Sequence, residues 1–100
     1  MYCKTFNTML SDEGMKIFKE FFEKKYVPLL MKQPGFKGTV FCLKENNQFM
    51  TITYWEEEEN LNDWSNNREH KEIAKEMKPY YTHEIFLAMY KIEKMISLSQ

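Results

Sequence analysis

Cysteine is scarce in this chain of 100 residues, and its two copies, Cys3 and Cys42, form no C-x-x-C pair and have no histidine at ligand spacing. That arrangement argues against a zinc site. It also argues against a disulfide, leaving the expectation of two reduced thiols in the core. Charge of one sign is lacking as well. A formal net charge of -1 gives no general electrostatic grip on nucleic acid, which requires a basic face. No apolar run approaches the ~20 residues needed to span a bilayer. No basic-then-apolar segment opens the chain. The expected setting is cytoplasmic, with neither membrane nor nucleic acid as partner.

What is present suffices for a folded domain. Apolar residues make up 43% and aromatics 16%, too much for a disordered chain. One domain over residues 1–94 is expected, with a short tail at 95–100. Residues 2–10 alternate as a strand, with Tyr2, Lys4, Phe6, Thr8 and Leu10 on one face and Cys3, Thr5, Asn7 and Met9 on the other. Asn7 is an amide in mid-strand on a face that otherwise reads as inward, so it needs a partner or a task. Ser11 then caps a helix whose first turn carries Asp12 and Glu13. Met15, Phe18, Phe22, Leu29 and Leu30 recur at helical spacing, with Phe21, Tyr26 and Val27 at the margins. Pro28 should kink this helix or split off its last turn.

Pro34-Gly35 stops the helix, and two strands, 36–44 and 49–55, flank a turn at Glu45-Asn46-Asn47-Gln48. Glu56 to Glu59 open an acidic helix start that leads to Leu61 and Trp64. Asn66-Asn67-Arg68-Glu69 reads as a capping box with Asn66 as cap, starting a helix with His70, Ile73, Ala74 and Met77 on one face. A last strand covers 84–93. The order β-α-β-β-α-β is the split βαβ, ferredoxin-like plan: an α+β fold with a four-stranded antiparallel sheet and helices on one face. The first and third strands are then central. Both faces of several strands carry large apolar groups, yet two helices cover only one face. A second copy packed sheet to sheet is expected to bury the other, giving a homodimer, a dimeric α+β barrel.

Several of these residues together resemble the antibiotic biosynthesis monooxygenase superfamily. They are Pro34-Gly35-Phe36 before the second strand, Trp55 ending the third, the acidic helix start, Asp63-Trp64, Glu69-His70 and the final Tyr90-Lys91-Ile92. The likeness runs over nearly the whole chain. It implies a small dimeric oxidoreductase, a monooxygenase that uses dioxygen without metal or flavin on an aromatic or quinol-like substrate. Asn7, Trp64 and His70 are the catalytic candidates under this resemblance, with Asn7 donating to an oxyanion and His70 acting as base. Phe22 and Tyr26 are the candidate pocket walls. The plain alternative makes Trp64 a core residue and His70 a surface or capping residue.

One branch, the iron-regulated surface determinant type, degrades haem and is similar to this chain at Asn7 and at Trp64, nine residues after Trp55. Its iron-ligating histidine falls at the position of Ala74 here, with His70 one helical turn earlier. A haem-binding alternative therefore has His70 as iron ligand, and under the first reading no cofactor is expected. A third expectation, from another class, is a ligand-binding dimer without turnover. RNA recognition on the sheet is not expected, because the third strand, Phe49 to Trp55, holds aromatics but no lysine or arginine.

Overall fold

A computed structural model describes residues 1–96. Strand β1 (Tyr2–Met9) leads into helix α1 (Asp12–Phe21), a π-helical turn (Phe22–Tyr26) and a short helix α2 (Val27–Leu30). Strands β2 (Phe36–Leu43) and β3 (Gln48–Trp55) form a hairpin, followed by α3 (Glu58–Ser65), α4 (Arg68–Ala74), a 3-10 segment (Lys75–Tyr80) and β4 (Phe86–Lys91). All pairings are antiparallel, in the order β2-β3-β1-β4. This is the ferredoxin-like arrangement expected, with β1 and β3 central. The last strand is shorter than the expected 84–93. The tail expected at 95–100 lies, from residue 97 onward, outside the described residues.

Ser11 caps α1 as its position suggests, its Oγ accepting the Gly14 N–H at 3.0 Å. The long helix does divide, though upstream of Pro28. Proline brings no N–H, and its ring presses on the carbonyl four residues back, that of Lys24. The π-helical turn accommodates this defect, with Val27 N–H reaching back to the Phe22 carbonyl. The hairpin turn places Asn46 (φ 61) and Asn47 (φ 63) in the left-handed region, which asparagine tolerates better than most residues. The cap of α4 is Asn67, one residue later than expected, because its side chain rather than that of Asn66 accepts the His70 N–H.

One face of the sheet is covered. Every second residue of β3, namely Phe49, Thr51, Thr53 and Trp55, is buried beneath the helices. Two apolar clusters form there. Leu10, Met15, Phe18, Phe21, Phe22, Phe49 and Met77 make one. Leu29, Leu30, Trp55, Leu61 and Trp64 make the other. Tyr26 and Ile73 pack against both, so they mark the seam between the clusters. The opposite face has no cover. Val40, Phe86 and Tyr90 are 41%, 64% and 57% exposed, a row of large apolar groups open to water. Cys42 lies exposed on this face rather than in the core, and Cys3 is half-buried. Both thiols are free, on strands that β3 keeps apart.

Gly35 locks the entry to β2. Its φ of 75° favours glycine, and a Cβ there would run into the Asn60 side chain. That amide is already engaged, accepting the Glu57 N–H at 3.1 Å to cap α3. Gly35→Ala is expected to lower stability by about 1–3 kcal/mol through backbone strain and a displaced cap. A urea midpoint equal to that of the wild type would show this account of the turn to be wrong.

Candidate functional site

The seam between the two clusters is where polar side chains meet. Trp64 is buried on α3, and the chain leaves helical geometry at Asn66 and Asn67 before restarting at Arg68. Because the Asn67 side chain accepts the His70 N–H at 2.9 Å, the first turn of α4 folds back over α3. The His70 ring then lies flat on the Trp64 indole, with centroids 3.9 Å apart and 9° between planes. Tyr26, at the end of the π-helical turn, stands edge-on to both rings, 5.6 Å from Trp64 and 5.8 Å from His70. Functional residues often sit on such irregular helical turns, which rotate a side chain away from the register of a regular helix.

His70 Nδ1 is 2.9 Å from the backbone carbonyl of Trp64. A carbonyl can only accept, so Nδ1 carries the proton and donates it to this bond. In neutral imidazole the other nitrogen, Nε2, is then left with its lone pair free. Burial holds the His70 pKa below its usual value of 6.5. The bond to the Trp64 carbonyl works the other way, while the charges of Lys4 and Lys71 add to the lowering. The ring is therefore neutral at pH 7 and available as a base.

Two cavities adjoin here, of about 50 and 130 Å³, and Phe6, Tyr26, Thr51 and His70 belong to the walls of both. Their existence follows from β3. Thr51 and Thr53 are short residues between the bulky Phe49 and Trp55, so the middle of the buried face is not filled. The smaller cavity is otherwise apolar and reaches Ala74, Met77 and Tyr81. Tyr81 is held in place by flanking backbone bonds, Ser11 N–H to the Tyr80 carbonyl at 2.9 Å and Thr82 N–H to the Met9 carbonyl at 3.1 Å. Burial pushes the phenols of Tyr26 and Tyr81 up to about 12 each, so both remain protonated donors. The larger cavity includes Lys4, whose Nζ donates to Ser65 Oγ at 3.1 Å.

Of the residues singled out by sequence, Trp64, His70 and Tyr26 converge. Asn7 does not. It is adjacent in β1 to Phe6 and Thr8, which face the helices, and alternation sends its own side chain to the uncovered face beside Met50 and Cys42. The expectation that this face is inward was mistaken within the single chain. Phe22 is buried but walls neither cavity, stacking instead on Phe41 at 5.3 Å and 13°. Its neighbour Phe21 takes the wall position. Lys4, Phe6, Thr51 and Tyr81 were not foreseen as site residues. For Lys4 a signal existed: a lysine on the same face as Phe6 and Leu10 has to find a polar environment under the helices.

A sequence model of the antibiotic biosynthesis monooxygenase family matches residues 1–76. The chain belongs to this family. Comparison with curated proteins gives no sequence match. Among solved structures, this family member is similar to SnoaB from Streptomyces nogalater, a cofactor-independent oxygenase, with a TM-score of 0.82 and 11% identity over 95% of each chain. It is similar to the ActVA-Orf6 monooxygenase of Streptomyces coelicolor, solved with nanaomycin D, with a TM-score of 0.81 and 11% identity over 98% of this chain and 92% of that one. A Deinococcus radiodurans protein matches with a TM-score of 0.84 and 10% identity over the full length of both. At these identities the likeness is one of fold. Among the described residues of this antibiotic biosynthesis monooxygenase family protein, no helix is long and apolar enough to cross a membrane.

The haem alternative fits the geometry poorly. Ala74 and His70 do line the same small cavity, one turn apart. The adjoining spaces of about 50 and 130 Å³, however, fall well short of the about 300–1,000 Å³ typical of pockets for larger ligands. Asn7, one of the two positions at which the chain resembles the haem-degrading branch, lies on the far side of the sheet.

Proposed function

We propose that this protein is a monooxygenase that oxidises an aromatic or quinol-like substrate with dioxygen and needs no cofactor, with His70 as the base. The observation that carries the proposal is the fixed tautomer of His70. A half-buried, neutral imidazole whose Nδ1–H is committed to the Trp64 carbonyl presents a basic Nε2 at an aromatic-walled cavity. Once deprotonated, the substrate is its own reductant. One oxygen atom of dioxygen becomes a new carbonyl on a ring carbon, and the hydrogen of that carbon and the hydroxyl proton of the substrate leave with the other oxygen atom as water. Tyr26 and Tyr81, both protonated, can donate to developing charge, and the apolar walls keep water from the carbanion. Trp64 serves as the platform that holds the base.

The test is oxygen uptake with a panel of small quinols, in chelator-treated protein without added flavin. Consumption that depends on both substrate and protein is expected to persist under these conditions. If none of the panel raises uptake over the rate without protein, the ligand-binding dimer without turnover is the better reading.

A homodimer belongs to the same proposal. The uncovered face joins Val40, Met50, Ile52, Tyr54, Phe86 and Tyr90, and no charged side chain interrupts that row. Ile52 lies near its middle, on central β3 between Thr5 and Val40. Light scattering is expected to give twice the chain mass for the wild type. Ile52→Asp is expected to give the single mass, since an unpaired carboxylate in an apolar interface costs several kcal/mol. A wild type that is already monomeric at high concentration would overturn the dimer.

A further inference from the structure

Lys4 has no place in the reading above, and its surroundings are unusual. It projects from central β1 on the covered face, between Thr53 of β3 and Met89 of β4, and α3 presents Ser65 to it. On the α4 side the nearest titratable group is His70, and the phenol of Tyr26 shares the same cavity. No carboxylate faces it from any of these elements, and neither cavity has an Asp or Glu among its lining residues. Among the described residues Lys4 joins no ion pair, unlike Lys24, Lys25, Lys37 and Lys75. One of its three N–H donors is used, on a neutral hydroxyl. Burial favours the uncharged amine, and its pKa is lowered accordingly. A half-buried ammonium without a counter-ion is costly to keep unless something negative arrives.

We propose that Lys4 is the anchoring cation of this cavity, and that the substrate is a single-ring aromatic bearing a phenolic oxygen that Lys4 holds as the phenolate. The inference rests on the His70 cavity being the reaction site. Size supports one ring rather than several: the two adjoining spaces measure about 50 and 130 Å³, and a cavity of about 150 Å³ accommodates one benzene ring. The two groups divide one task across the cavity. The phenol O–H bond breaks, its proton passes to Nε2 of His70, and the electron pair stays on the oxygen beside Lys4 Nζ. Charge-assisted hydrogen bonding then favours the ionised form that can be oxidised.

The probe is 4-nitrophenol, whose phenolate is yellow, compared with its neutral methyl ether, 4-nitroanisole. Neither needs to be oxidised, so the outcome is independent of whether oxygen uptake is found with quinols. Wild-type protein is expected to bind the phenolate about tenfold or more tighter than the ether and to show the yellow band at a lower pH than free 4-nitrophenol does. Lys4→Met should lose that preference while still binding the ether, and Lys4→Arg should keep most of it. Three results overturn the proposal: equal binding of the two probes by the wild type, a preference that survives Lys4→Met, or no binding of either probe. The wild-type comparison decides the matter alone should Lys4→Met fail to fold.

Discussion

A His70→Gln variant is expected to oxidise its substrate about 100- to 10,000-fold more slowly than the wild type, the range lost when a positioned base is removed. Glutamine retains an N–H donor that can reach toward the Trp64 carbonyl, so the loss is specific to the basic nitrogen rather than to the hydrogen bond at 2.9 Å. Melting temperature should therefore change little. The pH profile makes the assignment sharper. Because burial, reinforced by Lys4 and Lys71, lowers the His70 pKa, the acidic limb of the wild-type rate profile should fall below pH 6.5. Activity is full above that limb and declines as pH drops through it. Stability shares the sign: the unfolded chain binds the proton more readily than the folded one, so the contribution of neutral His70 is present above pH 6.5 and is lost as pH falls through its lower folded pKa. Turnover in His70→Gln within threefold of the wild type, or an acidic limb unchanged by the substitution, would remove His70 from the mechanism.

Trp64→Ala is expected to be the most damaging single change to the fold. The side chain is 1% exposed and contacts Trp55 at 5.9 Å, Tyr26 at 5.6 Å and His70 at 3.9 Å between ring centroids. Removing such a residue costs about 3–5 kcal/mol, against a total stability of about 5–15 kcal/mol for a typical domain. In a chain of this size that is a fall in Tm of about ten degrees or more. Trp64→Phe separates packing from positioning. Much of the buried area returns, but the smaller ring offers His70 a reduced platform, so stability should recover further than activity does. A Trp64→Ala protein that melts within a few degrees of the wild type would mean the aromatic stack is dispensable.

The parts of this protein written locally in its sequence are the ones that follow from short-range rules. Ser11 with Asp12 and Glu13 announces α1, the Asn46-Asn47 turn announces the hairpin, and alternation in 49–55 separates Phe49, Thr51, Thr53 and Trp55 from Met50, Ile52 and Tyr54 as observed. Asn7 shows where such reasoning fails. Alternation states correctly that Asn7 and Phe6 face opposite ways, but both faces of β1 carry apolar groups, so pattern alone cannot say which one the helices cover. Phe22 fails for a related reason. The π-helical turn begins there, and the wall position falls to Phe21, a shift invisible to a strict helical period.

By itself, then, the order of residues determined the strand and helix succession, the family and two of the aromatic partners at the site, because periodicity, capping and turn chemistry act over a few residues. The tertiary structure alone decided that Lys4 shares a cavity with His70, 66 positions away in the chain, and that Nε2 rather than Nδ1 carries the free lone pair. Both depend on which surfaces meet when α3 and α4 close over the short threonines of β3, a contact between distant segments for which no local rule exists.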